Sequence, residues 1–530
     1  MTPELTAVGK AHPRLRARPD IVLRKDRFTL LNDTLSPRDA TIADLVAIHD
    51  ALDAHGIEHL LVRRDDDRPV IAVDRARSQE VAGALTEEFA AEPFYARVGS
   101  QPEILLADGP FGEGARVLRL YRPRASSTGR VRYGASGAVR LELWDFGPDV
   151  IVAPAENALM RRLLPRTEAV EATVELHGRT WSTLGGMFDV LASDITFDID
   201  IVFSWVDGTS SEFQRARAQR MQAYVVGEGD DSEARYRQID ELRYALRSVY
   251  LYAPWIRRIF IVTDSPSPAW LADHPRVTIV RSEEFFTDPD ALPTHNSHAV
   301  ESQLHHIEGL SEHFLYSNDD MFFGRPVRPE TFFSPGGITK FIEATTRIGL
   351  GEPDSARSGF ENAARVNRAL LRERFGRITT RHLEHAATPL RRSVLAELEA
   401  EFPEDFARTA RSAFRSATDI SVTNSLYHYY ALMTGRAVVQ NEASVRYIET
   451  TLATAPAEME RLLKSRDYDF FCLNDGSQPE ISVARRTKTV RAFLERYFSV
   501  AAPWEVGYAG KVTPGPGWAS SSGAQAQPAS

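Results

Sequence analysis

Cysteine is almost missing from this chain: Cys472 stands alone in 530 residues. One thiol excludes an intramolecular disulfide and fits a reducing compartment. Long apolar runs are missing too, since no stretch of about 18 apolar residues occurs and the N-terminus lacks the apolar core of a secretory signal. A cytoplasmic location is therefore expected. A basic surplus is also absent, with 63 Lys and Arg against 73 Asp and Glu and a formal charge of -10. Proteins that neutralise many phosphates normally carry the opposite balance, so nucleic-acid binding is not expected.

What is present describes an ordinary globular protein, 43% hydrophobic and 26% charged. Single cores rarely exceed about 250 to 300 residues, so more than one domain is expected. Residues 1–39 read as a basic N-terminal arm, because KAHPRLRARPDIVLRKDR carries seven basic side chains against two acidic ones. Such an arm either touches an anionic membrane surface peripherally, at the inner face of the plasma membrane, or stays solvated and mobile, the simpler reading. Residues 40–190 read as an accessory α+β domain. Helices are expected near Ala43 to His55 and Ser78 to Phe89, with strands at HLLVRR, PVIAV, ARVLRLY and VRLELWDF. No active-site signature falls there. Residues 191–512 form the chemistry-bearing domain, and 513–530, rich in Pro, Gly, Ser and Ala, read as a disordered tail.

From Asp198 the pattern alternates strands and helices: DIDIVFSWV, then the helix QIDELRYALRSVYLYA, then RRIFIVTD, VTIVRSEEF, the helix NSHAVESQLHHI and the strand EHFLYSNDD. This βαβ alternation predicts an α/β fold with a parallel or mixed sheet, which binds ligands beyond the carboxyl ends of its strands. Asp207, Asp264, Asp319 and Asp320 all follow such ends. Two adjacent carboxylates resist joint ionisation unless a cation lies between them, so Asn318-Asp319-Asp320 is the leading site candidate, a plain Asn-Asp turn being the alternative. His298, Glu301 and His305 are spaced to share one helix face, which is either a ligand face or an ordinary polar one. Arg391, Arg392, Arg408, Arg411 and Arg415 offer guanidinium groups suited to phosphate oxygens, although most should be solvated. FFCLNDGS repeats a strand followed by Asn474-Asp475.

In order along the chain, DIDIVFSWVDG, the long block from DELRYALRSVYLYAPW to SNDDMFFGRPV, HAATPLRRSVLAELEAEFPEDF and FFCLND resemble the four conserved blocks of the Stealth family. That family comprises bacterial capsular or exopolysaccharide hexose-1-phosphoryltransferases and the catalytic subunit of the animal N-acetylglucosamine-1-phosphotransferase. The resemblance spans roughly Asp198 to Asp475. It implies a Rossmann-like core of the nucleotide-diphospho-sugar-transferase type with a mixed sheet. It also implies transfer of hexose-1-phosphate from a UDP-sugar donor to a glycan or polysaccharide acceptor with release of UMP, in capsular or exopolysaccharide synthesis. Matching motif to motif, it makes Glu301, Asp320, His385 and Arg415 catalytic. Asp200, Asp207, Asn296, His298, Asn474 and Asp475 become substrate-binding, and Asp319 with Asp320 would hold Mg²⁺ or Mn²⁺. Thr209-Ser210-Ser211 depart from the family pattern, where an Asp is common. The rival readings are a metal-dependent glycosyltransferase releasing UDP and a catalytically silent saccharide-binding protein.

Overall fold

Ile199–Ser204 is a strand because IDIVFS is a nearly continuous apolar, β-branched run, the pattern of a parallel strand covered on both faces. It is the centre of the larger of two compact units, Met1–Ala192 and Ser193–Ala509. The computed structural model describes residues 12–66, 68–111, 114–128, 131–208, 239–476 and 479–510, and the backbone of 527–528. Thr209–Ser211 and most of the tail lie outside the described residues; Gln527–Pro528 pairs with Glu171–Leu176.

The first unit is the expected α+β body. Its long strand Val139–Phe146 pairs antiparallel with Val117–Tyr121 and parallel with Val70–Asp74. The helices Pro37–Ala54 and Ser78–Glu88 bury Leu45, Ile48, Leu52, Val81 and Leu85 in its core. The basic arm is a correction. From Pro13 onward the segment is folded, with a helical turn and a hairpin of Ile21–Arg24 and Arg27–Leu31. Its second strand pairs with Arg124–Ala125. Leu15, Ile21, Phe28 and Leu30 are buried, and Arg27 pairs with Glu103 at 2.8 Å. Counting charges hid the apolar positions between them.

In the second unit the elements that frame the site are β1 (Ile199–Ser204), α1 (Glu241–Tyr252), β2 (Ile259–Val262), β3 (Val277–Val280), α2 (Ser297–Glu301), β4 (His313–Asn318), β5 (Met321–Phe323), α3 (Gly359–Phe375), β6 (Thr388–Arg391), α4 (Arg392–Glu401), α5 (Pro403–Arg411), α6 (Tyr427–Met433), β7 (Val445–Glu449) and β8 (Phe470–Asn474). The main sheet runs β3-β2-β1-β4-β6, parallel except for β6. Strand order reverses between β1 and β4, where such sheets open a crevice. This is the expected fold class, an α/β Rossmann-like core with a mixed sheet preceded by a smaller α+β unit. A second sheet, β5-β8-β7, sets β8 beside the end of β4. Phe260, Phe314, Leu390, Leu395 and Tyr427 lie in the core beneath the sheet, each worth about 1.5 to 3 kcal/mol of burial. No helix of the described residues is long and apolar enough to cross a membrane.

The helix expected over NSHAVESQLHHI is shorter than its pattern. It ends at Glu301 and gives way to a 3-10 turn at Leu304–His306. Buried polar side chains draw the chain elsewhere: Gln303 accepts from Thr287, and His305 and His306 both reach Glu399 on α4. The shared face of His298, Glu301 and His305 therefore does not form.

Candidate functional site

Carboxylates gather at the carboxyl ends of β1 and β4. Ser204 and Asn318 are register partners there, so the chain after each strand enters the same crevice. Asp320 follows β4, and its Oδ2 accepts a long hydrogen bond of 3.5 Å from the Cys472 thiol on β8. Its Oδ1 is buried without a hydrogen-bond partner. Burial pushes the Asp320 carboxyl up to about 6, the Cys472 hydrogen bond opposes this, and Glu241 and Asp475 add to the rise. The same environment pushes the Cys472 thiol far above its ordinary range.

Beside Cys472 in register stands Tyr447 of β7. Its ring lies 4.9 Å from that of His385, and its hydroxyl accepts from Asn474 at 3.0 Å. His385 is half-buried, which lowers its imidazole below the usual value. Asp475 bonds Thr450 and lies 3.6 Å from Arg486. At Gly476 the Glu449 carboxylate packs against the backbone, since a Cβ there would fall 1.6 Å from Glu449 Oε1 and the carboxylate would have to move. Asp320, Cys472, Tyr447, His385, Asn474 and Asp475 are thus linked contact by contact.

A second group of contacts is built on Glu301. Its carboxylate is 2% exposed and accepts from Tyr316 on Oε1 at 3.3 Å and from Thr423 on Oε2 at 2.7 Å. Tyr316 lies two residues before Asn318 on β4, which links the two groups of contacts through one strand. Arg415 donates to Ser297 on α2 at 2.7 Å. Its stem crosses the start of α3 so closely that a Cβ on Gly359 would fall 2.6 Å from Arg415 Cβ. Glycine is what allows that crossing. The structure therefore brings Glu301, Asp320, His385 and Arg415 to one end of the sheet.

Other expected residues have different tasks. Asp200 points the expectation the wrong way: it sits on the amino half of β1, fully buried, and pairs with Arg257 at 2.6 Å and with the Ser311 backbone at 2.8 Å. Asn296 caps α2 and donates to Ser412 and Phe414 carbonyls and to Asp419, while His298 lies 3.9 Å from Asp419. Both brace the loop that carries Arg415. Asp207 does sit at a strand end, its backbone N–H donating to Ser265. Asp264 ties the Ser282 backbone. Arg391, Arg392, Arg408 and Arg411 are engaged by Glu312, by the His305 and Leu310 carbonyls, by Asp405 and by Asp288. Among the described residues, the one His and carboxylate cluster with metal-ligand composition is His305, His306 and Glu399, whose side chains already bond one another. Asp320 offers a buried carboxylate oxygen with no partner among the described residues, next to the Asp319 carboxylate in sequence, and carboxylate oxygens suit a hard divalent cation.

Tyr316, Thr423, Asn424, Tyr447 and Glu241 were not anticipated. Only Tyr316 carried a signal, since alternation puts it on the same strand face as Asn318.

Family models match the chain as Stealth protein conserved region 1 over residues 197–225, region 2 over 235–341, region 3 over 384–432 and region 4 over 460–511. Exopolysaccharide phosphotransferase CpsY of Mycobacterium tuberculosis (strain ATCC 25618 / H37Rv) is 56% identical over 509 residues, covering 95% of this chain and 96% of its own. The chain belongs to the Stealth family. An exopolysaccharide phosphotransferase of Nocardia farcinica is 55% identical over 89% of this chain and 88% of its own. With relatives so named along nearly their whole length, this Stealth protein is a phosphotransferase. Region 2 contains Glu301, Tyr316 and Asp320, region 3 contains His385, Arg415 and Thr423, and region 4 contains Cys472, Asn474 and Asp475. Among solved structures, the galactosyltransferase LgtC in complex with donor and acceptor sugar analogs is 12% identical over 57% of this chain and 96% of its own, with a TM-score of 0.29. That likeness is too distant to bear on function.

Proposed function

We propose that this Stealth protein transfers hexose-1-phosphate, or N-acetylhexosamine-1-phosphate, from a UDP-sugar to a hydroxyl of a glycan or polysaccharide acceptor in exopolysaccharide synthesis. The acceptor oxygen attacks the phosphorus that bears the sugar. A new O–P bond closes the phosphodiester, the bond to the bridging diphosphate oxygen breaks, and UMP leaves with that electron pair. The observation that supports this reading is the convergence of Glu301, Asp320, His385 and Arg415 at the carboxyl ends of β1 and β4. The whole-length likeness to proteins named exopolysaccharide phosphotransferases agrees with it.

Phosphoryl transfer requires in-line positioning and cancellation of charge on the equatorial oxygens more than covalent help from the protein. Arg415 supplies a guanidinium for those oxygens. Asp320 takes the proton of the acceptor hydroxyl, with His385 beside it to share that proton or to donate to the phosphoryl group. Glu301, oriented from two sides, holds the substrate in register. Asp319 and Asp320 would hold Mg²⁺ or Mn²⁺, which when bound would neutralise the donor diphosphate. Asp207, Asn474 and Asp475 border the nucleotide.

The test is to incubate the purified chain with a panel of UDP-sugars, Mg²⁺ or Mn²⁺ and glycan acceptors, and to identify the nucleotide released. UMP appearing with a phosphodiester product is the expected result. UDP would mean that the sugar alone is transferred, and would overturn the proposal.

A further inference from the structure

We infer that Thr423 and His428 form a positioning relay that fixes the carboxylate of Glu301, an inference that rests on the functional reading of Glu301 above. Glu301 is buried, yet no ion pair reaches it among the described residues. Its donors are neutral: the Tyr316 hydroxyl at 3.3 Å, the Thr423 hydroxyl at 2.7 Å, and a long approach of 3.5 Å from the Asn424 amide. Thr423 makes the shortest of these. A buried carboxylate held by one good hydroxyl donor depends strongly on that donor.

Thr423 is held in place by an unusual piece of backbone. It lies in the π-helical turn Val422–Leu426, where the Leu426 N–H reaches the Ser421 carbonyl at 2.9 Å and the Tyr427 N–H reaches back to Val422. Such turns give up regular α-helical bonds and occur frequently at functional sites. The Thr423 carbonyl is taken by a side chain, His428 Nε2, at 2.8 Å. His428 is wholly buried on α6, and its Nδ1 has no hydrogen-bond partner among the described residues. The ring's polar contact is therefore directed at this one carbonyl. Burial lowers the imidazole to about 4, so at neutral pH it is the uncharged ring that donates through Nε2–H. From α6 the order of contacts is His428 to the Thr423 carbonyl, then the Thr423 hydroxyl to Glu301, with Tyr316 closing from β4. Both Thr423 and His428 act through Glu301 and touch no reacting atom, so they are positioning residues.

The test uses the full chain and the nucleotide-release assay, with melting temperature measured in parallel. Thr423→Val keeps the shape and removes the hydroxyl; turnover should fall about 10- to 100-fold with KM changed less than about twofold. Thr423→Ser, which restores the donor, should recover activity to within about threefold of the parent, a rescue that a packing role would not produce. His428→Phe should lose about tenfold, and His428→Gln, whose amide can present an N–H in place of Nε2, should lose less. Glu301→Gln is the companion control. Loss of activity in Glu301→Gln with full turnover in Thr423→Val, or a Thr423→Ser no better than Thr423→Val, would overturn the relay and leave the functional reading intact. Full turnover in Glu301→Gln, or no nucleotide release by the parent chain, would overturn the reading of Glu301 and the relay with it.

Discussion

The two units bury carboxylates in different company. In the first, Asp44 is 2% exposed and is met by Arg122 and Arg124, each at 2.7 Å, while buried Glu142 is met by Arg64 at 2.9 Å and by the Trp144 indole at 3.0 Å. In the second, among the described residues, Glu301 meets only hydroxyls and an amide, and Asp320 meets a thiol. A buried charge with a guanidinium partner can be purely structural, whereas one left with neutral donors is retained against a desolvation cost. The same criterion sorts carboxylates within the second unit. Asp200 with Arg257, and Glu505 with Arg243 and Arg247, are braces; Glu301 and Asp320 are not.

Breaking a brace should cost the most. Asp44→Ala leaves the buried Arg124 guanidinium without its carboxylate and Arg122 with Glu92 alone, and should lower stability by about 3–5 kcal/mol, read as an earlier transition in urea, while turnover per folded molecule stays within about twofold. A comparable fall in turnover would end the contrast between the units. Next come Asp320→Asn and His385→Ala, each expected to lower turnover at least about a hundredfold with the unfolding transition intact. Near-normal rates in either would remove that residue from the chemistry. The smallest effect is one of pH. Burial holds His428 at about 4 against an ordinary value near 6.5, opposed by its bond to the Thr423 carbonyl. Below about pH 6.5 the unfolded chain takes a proton that the folded chain refuses until about pH 4. Stability should therefore fall as pH drops through that window, by at most about 3 kcal/mol, and be fully present above it. Denaturation at stepped pH should show a shallower acid slope in His428→Phe; an unchanged slope would assign the dependence to other groups.

Much of the fold was legible because its signals are local. The helix expected at Ala43 to His55 is the later part of Pro37–Ala54 with its cap His55, and the strands expected at DIDIVFSWV, RRIFIVTD and EHFLYSNDD are β1, β2 and β4. Failures came where polar side chains with distant partners overrode a local pattern. The helix after Asn296 stops at Glu301 because Gln303, His305 and His306 find partners elsewhere. The basic segment folds because Leu15, Ile21 and Phe28 have a core to enter. Thr423 and Tyr447 carried no signal, since a hydroxyl and a phenol acquire roles only from what faces them.

By itself the order of residues determined which stretches become strands and helices, and that Asp207, Asp319 and Asp320 follow strand ends, because periodicity and chain position act over a few residues. Only the tertiary structure decided which acid meets a guanidinium and which meets a hydroxyl or a thiol. Asp200 finds Arg257 at a separation of 57 residues, Glu301 finds Thr423 at 122 and Asp320 finds Cys472 at 152. A carboxylate's task is set by the dielectric and donors around it, and both are assembled only when those separations close.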